Sequence, residues 1–181
     1  TGKFNKAQED WGQYDATNDI PLLKSITKDP LDYPLIIIGQ FINTYKLKSI
    51  PGFDLMIDSE IPVGAGMGSS GALADSIIGA LSLFAGKPFD KETINKIAFL
   101  CEKKKHGKPS GGDNSTSCFG GLVWFKKDEG LKPLDADLPE AVANNFYIIN
   151  TGTPSETTGE MVSLVRALVE KDPDSTNAVL A

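Results

Sequence analysis

A glycine-rich segment, residues 64–71 with the sequence Gly-Ala-Gly-Met-Gly-Ser-Ser-Gly, constrains the fold of this chain more than any other feature. A helical pattern follows it, with Leu73, Ile77, Leu81 and Phe84 on one face. Glycine lets a backbone turn sharply and approach a ligand closely. The free N–H groups and the positive dipole end of a helix N-terminus favour an anion, so the loop suits a polyphosphate. A tight turn with serine caps is the structural alternative, although four glycines in eight residues exceed what a turn needs.

Two well-known phosphate-binding motifs can be tested against this loop. The spacing Gly66-x-Gly68-x-x-Gly71 formally matches the dinucleotide-binding fingerprint. That fingerprint also requires an acidic residue at the end of a second strand about 20 residues further on, whereas Asp90 begins a helix. A P-loop is excluded because no lysine precedes the two serines. The catalytic-loop and Asp-Phe-Gly sequences of protein kinases are absent.

The wider segment from Pro62 to Ala72 resembles the ATP-phosphate loop of the GHMP kinases, which are small-molecule kinases that include galactokinase, homoserine kinase and mevalonate kinase. The pattern is long and has few accidental matches. The resemblance implies that this loop binds the phosphates of ATP through Pro62, Gly64, Ala65, Gly66, Met67, Gly68, Ser69, Ser70 and Gly71.

Two carboxylates accompany a second loop that is rich in glycine and polar residues. Glu102 precedes this loop and Asp113 lies within it. A carboxylate in such a loop is commonly a turn residue, and Glu102 taken alone is a solvated helix charge. Phosphoryl transfer, however, needs a cation near the phosphates and a group that orients the attacking hydroxyl. Glu102 and Asp113 could fill these two roles, because Glu102 follows the apolar face of its helix and can lie at the edge of a cleft.

The second loop resembles the mevalonate kinase family in particular. That family carries Glu, then His-Gly-x-Pro-Ser-Gly-x-Asp-Asn, then Gly-Gly, and this chain has Glu102, residues 106–114 and residues 120–121 in these places. The resemblance implies that Ser70 and Glu102 ligate Mg²⁺ and that Asp113 is the catalytic group at the mevalonate hydroxyl. The substrate-binding residues that it implies are His106, Ser110, Gly111 and Thr157.

A third segment, residues 150–157, is similar to a family region near the substrate. Ser155 stands where family members often have a basic residue, and Gly112 is smaller than the usual branched residue before the aspartate. The freedom of glycine predicts a looser loop at position 112. His106 is the single histidine, and we expect it to order the loop, because Asp113 fills the position of the base.

The fold implied by the resemblance is of the α+β class. It is the two-layer N-terminal domain of GHMP kinases, a ribosomal-protein-like βαβ fold with a left-handed crossover, which the usual handedness rule does not predict. We expect this ATP-binding domain over residues 1–170, incomplete at its start, and a tail or the start of a C-terminal domain over residues 171–181. The family's lysine-containing first motif would precede Thr1 and its third motif would follow Ala181. We therefore expect an internal piece that is inactive in isolation.

The implied function is the ATP- and Mg²⁺-dependent phosphorylation of mevalonate to 5-phosphomevalonate in isoprenoid biosynthesis. The alternatives are another GHMP kinase, acting on phosphomevalonate or a sugar, and a non-catalytic nucleotide-binding remnant. The expected partners are ATP and the small-molecule acceptor, without nucleic acid or membrane. A homodimer is left open.

The composition is that of an ordinary globular domain, with 181 residues, 40% hydrophobic and 23% charged. A net charge of −6 argues against non-specific nucleic-acid binding, which depends on Lys and Arg. The dense basic run at residues 103–105 is interpreted as a solvated helix end. No apolar stretch approaches the ~20 residues of a membrane span, and residues 1–30 do not resemble a signal peptide. Two cysteines, Cys101 in the core and Cys118, favour a reducing cytoplasm.

Apolar patterning predicts the remaining elements. A helix is expected over residues 34–46, and Phe53, Leu55 and Ile57 alternate as in a half-buried strand. Asp90 is expected to cap the helix that carries Cys101 and Glu102. Further along the chain we expect a polar loop over 106–121, strands over 122–125 and 146–149, a helix opened by a capping box at 153–156, and irregular segments over 1–30 and from 172 onward.

Overall fold

The computed structural model describes residues 31–107, 109–126, 129–136, 138–149 and 158–180, together with residues 9, 13, 17, 22, 29, 152 and 155. In chain order its elements are α1 (Asp32–Thr44), α2 (Ser69–Phe84), α3 (Lys91–His106), α4 (Gly112–Phe119), β1 (Val123–Lys126), β2 (Gly130–Pro133), α5 (Glu140–Ala143), α6 (Thr158–Lys171) and α7 (Pro173–Leu180).

Helices α1, α2 and α3 pack on one another around an apolar core, and α4 packs against α2 and α3. The core positions recur at three- and four-residue spacings, as expected for amphipathic helices. They are Tyr33, Ile36, Ile37, Phe41, Ala74, Ile77, Ile78, Leu81, Ile94, Ile97, Ala98 and Cys101. The predicted helix near residues 34–46 and the core position of Cys101 are therefore confirmed.

The start of α3 follows a local signal that the sequence already contains. The Asp90 side chain accepts a hydrogen bond from the backbone N–H of Thr93 at 3.0 Å. This bond satisfies one of the N–H groups that a helix start leaves without a partner. The predicted cap is thus confirmed, and it fixes the beginning of the helix that carries Glu102 near its other end.

The segment 106–121, predicted to be a polar loop, contains α4 instead. Gly111 precedes this helix with a left-handed φ of +90°. The buried side chain of Asn114 donates a hydrogen bond of 3.3 Å to the carbonyl of Asn95 in α3. The prediction was wrong because these tertiary contacts hold a helix that lacks apolar periodicity.

The strand predictions have mixed outcomes. The strand expected over residues 122–125 is confirmed as β1, which pairs antiparallel with β2 so that Val123 lies opposite Pro133. The strands expected at residues 53–57 and 146–149 are wrong, because no described residue pairs with either segment. A strand needs a neighbour to accept and donate its ladder bonds, and alternating side chains do not supply one.

The C-terminal region is more ordered than the sequence suggested. Helix α6 confirms the predicted helix, while the capping box at residues 153–156 lies outside the described residues. The tail from residue 172 is wrongly predicted to be irregular, since it forms α7. Asp172 accepts a hydrogen bond from the N–H of Ser175 at 3.2 Å, and Pro173 occupies the first helical position. Both residues are typical of a helix start.

The α+β class holds for the described residues, which combine packed helices with one antiparallel hairpin. The left-handed crossover and the domain boundary at residue 170 stay predictions. In the described part of the chain, every helix is too short or too polar for a bilayer crossing.

Candidate active site

The two predicted loops lie against each other at the first turns of two helices. Gly68 precedes α2 and Gly111 precedes α4, with left-handed φ values of +67° and +90°. Because both N-cap residues are glycine, neither cap offers a side-chain acceptor to its helix. A Cβ atom built on Gly68 would lie 3.5 Å from the Cβ of Asp113 in the first turn of α4. The positive ends of two helix dipoles are therefore neighbours.

Gly71 lies directly against the backbone of α4. A Cβ atom at this position would lie 2.8 Å from the backbone nitrogen of Asn114 and 3.0 Å from its Cα. Glycine is therefore required at position 71 for packing, because it admits the backbone of the second loop.

Ser70 and Glu102 meet between α2 and α3. The hydroxyl of Ser70 donates a hydrogen bond to Glu102 Oε2 at 3.1 Å. The Glu102 residue is only 2% exposed, so it is not a solvated helix charge. The two residues that the resemblance assigned to a metal are thus in direct contact, although 32 residues separate them in sequence.

Three further side chains surround this pair. Tyr33 of α1 donates a hydrogen bond from its hydroxyl to Glu102 Oε1. His106 Nε2 lies 3.3 Å from Ser70 Oγ and 3.6 Å from Glu102 Oε2. The Lys105 ammonium lies 4.2 Å from the centroid of the Tyr33 ring. The basic run at residues 103–105 was predicted to be a solvated helix end, but Lys105 instead packs against Tyr33.

Burial governs the ionisation of this cluster. Burial lowers the pKa of His106 from its usual 6.5, and the nearby Glu102 only partly opposes this effect, so the imidazole is neutral at pH 7. Burial also lowers the pKa of Lys105, again opposed by Glu102. Burial and the negative charge of Glu102 both raise the pKa of Tyr33, which keeps its hydroxyl protonated and able to donate.

The oxygen atoms of Ser70 and Glu102 fit a magnesium ion. Mg²⁺ prefers an octahedron of oxygens at about 2.0–2.1 Å, so neighbouring ligands lie about 2.9 Å apart. The 3.1 Å between Ser70 Oγ and Glu102 Oε2 is close to that separation. Among the described residues no group of three or more His, Cys, Asp or Glu side chains could hold a metal ion. Two protein oxygens would leave most positions to water and phosphate, as Mg²⁺ sites commonly do.

The second loop brings its predicted residues to the start of α4. Asp113 is exposed in the first turn, beside Gly68. Ser110 Oγ accepts a hydrogen bond from the N–H of Gly112 at 3.1 Å and so shapes this turn. A Cβ atom at Gly112 would lie 3.3 Å from the Phe125 ring. Position 112 is therefore helical and closely packed, and the prediction of a looser loop there was wrong.

The first part of the glycine-rich segment is largely exposed. Gly64 and Gly66 have left-handed φ values of +76° and +71°, as the turns of this segment require. Met67 is partly exposed beside them, before α2 begins. Thr157, the remaining predicted substrate residue, lies outside the described residues.

Two buried residues near the site were missed by sequence reasoning. In the sequence, Tyr33 has the pattern of an ordinary core residue of α1. Asp75 lies on the buried side of α2, and neither carboxylate oxygen has a hydrogen-bond partner of normal geometry among the described residues. Burial, reinforced by the charge of Glu102, raises the pKa of Asp75 to about 7, and the nearby Ser117 side chain offsets this only in part. An aspartate in an otherwise small and apolar helix face was the available signal.

Comparison with known proteins assigns this arrangement to a class. Residues 33–121 match the family model of the GHMP kinases N terminal domain, so this part of the chain belongs to the GHMP kinase family. The match covers α1 to α4 and both loops of the site.

Within that family the chain is similar to mevalonate kinases. It is 38% identical to the mevalonate kinase of Pyrococcus horikoshii over 71% of this chain and 36% of that protein. It is 34% identical to the mevalonate kinase of Archaeoglobus fulgidus over 83% of this chain and 50% of that protein. The crystal structure of the Methanococcus jannaschii mevalonate kinase matches with a TM-score of 0.56 and 27% identity, covering 63% of this chain and 38% of that one. The chain thus spans half or less of the length of these proteins.

Proposed function

We propose that this chain carries the ATP-binding part of a kinase that phosphorylates mevalonate to 5-phosphomevalonate. The observation that carries the proposal is the meeting of two loops, where Gly68 lies beside Asp113 and Ser70 is bonded to Glu102. The similarity to mevalonate kinases supports the choice of acceptor.

The glycine-rich segment and the start of α2 would bind the phosphates of ATP. The first backbone bond of α2 runs from the N–H of Ala72 to the carbonyl of Gly68 at 3.0 Å. The N–H groups of residues 69–71 therefore have no carbonyl partner within the helix and could bind an anion at its end. The start of α4 adds the positive end of a second dipole beside them.

Ser70 and Glu102 would hold Mg²⁺ next to these phosphates. When the ion is bound, it neutralises part of the charge that develops on the phosphate oxygens. Neutral His106 stays within hydrogen-bonding distance of Ser70 and orders its hydroxyl. The chain's own contribution here is to keep two oxygens about one octahedral edge apart before the ion arrives.

Asp113 would act on the acceptor hydroxyl. As that oxygen bonds to the γ-phosphorus, the bond from phosphorus to the β–γ bridging oxygen breaks, ADP leaves, and the Asp113 carboxylate accepts the hydroxyl proton. Its exposure and its place beside Gly68 suit a group that faces both acceptor and phosphate. We propose that the acceptor is bound by His106, Ser110, Gly111 and Thr157.

The test uses the full-length protein and an assay coupled to ADP release. The acceptors are mevalonate, phosphomevalonate and galactose, because Ser155 replaces a residue that is often basic in the family. Turnover with mevalonate in the ordinary range of roughly 1–10³ s⁻¹ supports the proposal. A preference for another acceptor would reassign the substrate, and ATP binding without turnover would identify a non-catalytic remnant. Residues 1–181 alone should give negligible turnover.

A further inference from the structure

Tyr33 links the first helix of the core to the candidate metal site. It lies in the first turn of α1 and is only 5% exposed. Its hydroxyl donates to Glu102 Oε1, while the other carboxylate oxygen, Oε2, faces Ser70. One oxygen of the carboxylate is therefore held by the core and the other is directed into the site.

We propose that Tyr33 is a positioning residue that fixes the orientation of Glu102 as a ligand, an inference that rests on the proposed function. The last torsion of a glutamate side chain is broad, so the carboxylate needs a partner to define its plane. The Tyr33 hydroxyl supplies that partner on the side away from Ser70. Without it, a buried carboxylate oxygen loses a hydrogen bond and the group turns to recover one.

The Tyr33 ring is itself held from two sides. Its body packs in the core shared by α1, α2 and α3. The Lys105 ammonium lies 4.2 Å from the ring centroid, within the roughly 6 Å over which a cation is attracted to an aromatic face. Because the ring is fixed, the Tyr33 hydroxyl has a fixed position. It can therefore orient the carboxylate that accepts its hydrogen bond.

Tyr45, at the other end of α1, provides the control. It follows the last residue of α1, packs on Phe41 with ring centroids 4.9 Å apart, and has the Lys87 ammonium 5.4 Å from its ring centroid. Like Tyr33, it contacts the core and has a lysine ammonium near its ring, but it is only half-buried. It lies twelve residues further along, which is about 18 Å along a helix axis, and so at the opposite end of α1 from the site.

The experiment measures ATP binding by calorimetry in the full-length protein, once with EDTA and once with saturating Mg²⁺. The ratio of the two dissociation constants is the gain in affinity that the metal confers. Tyr33→Phe should reduce this gain by about tenfold, the usual effect of removing an outer partner of a metal ligand, and should leave ATP affinity in EDTA unchanged. Tyr45→Phe should leave both quantities unchanged. Far-UV circular dichroism checks that each variant is folded.

A double variant separates positioning from general damage to the protein. If Tyr33 acts through Glu102, adding Tyr33→Phe to Glu102→Gln should change the gain no further. Replacing Tyr33 with 4-aminophenylalanine keeps a donor on the same ring and should preserve the gain. If the 4-aminophenylalanine variant lost as much of the gain as Tyr33→Phe does, the proposal would be overturned, because the hydrogen-bond donor on the ring would then have no effect.

Failure of the positioning role and failure of the metal site give different results. A Glu102→Gln variant that keeps the wild-type gain would remove Glu102 from the metal site, and the role of Tyr33 with it. A Glu102→Gln variant that loses the gain, beside a Tyr33→Phe variant that keeps it, would overturn the role of Tyr33 alone. Loss in both single variants, without further loss in the double variant, supports the proposal.

Discussion

Gly71 in α2 and Asn114 in α4 approach so closely that a Cβ atom at position 71 would lie 2.8 Å from the Asn114 backbone nitrogen. Asn114 is buried and bonded to Asn95 of α3, so the contact joins three helices. Helix packing therefore holds the glycine-rich segment and the second loop in position. The close approach of their backbones brings the residues of the two loops together.

Substitution of Gly71 should weaken the protein itself. Alanine is intrinsically favoured over glycine within a helix, but here its methyl group would collide with backbone atoms of α4. We expect Gly71→Ala to lower the free energy of unfolding by about 1–3 kcal/mol, as overpacking does. Urea denaturation measures this. Gly52→Ala, at a position with open space around it, is the control and should be nearly neutral. Equal stability of both variants would show that α2 and α4 can separate without cost.

Substitution of Gly68 by alanine should weaken ATP binding more than the same substitution at another glycine with a positive φ. Gly68 and Gly86 have similar left-handed φ values of +67° and +62°, so alanine at either costs about 1–2 kcal/mol of backbone strain. Gly68 is the N-cap residue of α2, at the helix end proposed to bind the phosphates, whereas Gly86 follows the opposite end of α2. Gly68→Ala should therefore weaken ATP binding in a calorimetric titration, while Gly86→Ala should not. Equal ATP affinities for the two variants would remove Gly68 from the phosphate site.

Removal of the Asp113 charge should slow the reaction without loosening ATP. General-base assistance contributes about 10²–10⁴-fold, so Asp113→Asn should lower kcat by that factor in the full-length enzyme. ATP affinity should hardly change, because Asp113 is assigned to the acceptor. Asp90→Asn is the control, since asparagine caps a helix as well as aspartate does. An Asp113→Asn enzyme with kcat within about threefold of wild type would return this residue to a turn-forming role.

Asp75 should make stability fall as the pH rises. Its pKa in the folded protein is about 7, above the 3.8 of an exposed aspartate, so ionisation favours the unfolded chain between these values. Its favourable contribution is complete below about pH 4 and is lost as the pH rises to about 7. Asp75→Asn should be more stable than wild type at pH 8, by about 1–3 kcal/mol, with little difference at pH 4. Urea denaturation at both pH values provides the test, and parallel pH profiles would contradict it.

Local signals in the sequence were sufficient to predict a helix start or a turn where a single residue type determines it. Asp90 marked the start of α3, and the glycines marked the turn before α2. Helix α4 was missed because Asn114 and Asn95 stabilise it across the fold, which linear spacing does not reveal. The segment at Phe53 alternates like a strand but has no ladder partner among the described residues.

The candidate site was predicted only in part, and for a similar reason. The pairing of Ser70 with Glu102 was implied by the resemblance, because residue spacing alone left Glu102 as a surface charge. Tyr33 could not have been predicted, since it lies 69 residues from Glu102 and shares the apolar pattern of its helix. Buried hydrogen bonds between distant residues depend on the packing that joins the helices, and that packing has no local sequence signal.

Cys101 and Glu102 are adjacent on α3, one fully buried in the core and the other turned toward Ser70. Neighbouring residues of a helix point about 100° apart, so the rotation of α3 that seats the thiol also aims the carboxylate. Selection on the proposed metal site would therefore act on the packing around Cys101 as well. Lineages should change this part of the core more slowly than equally buried positions remote from the site, and compensating pairs of substitutions should be found between α1 and α3.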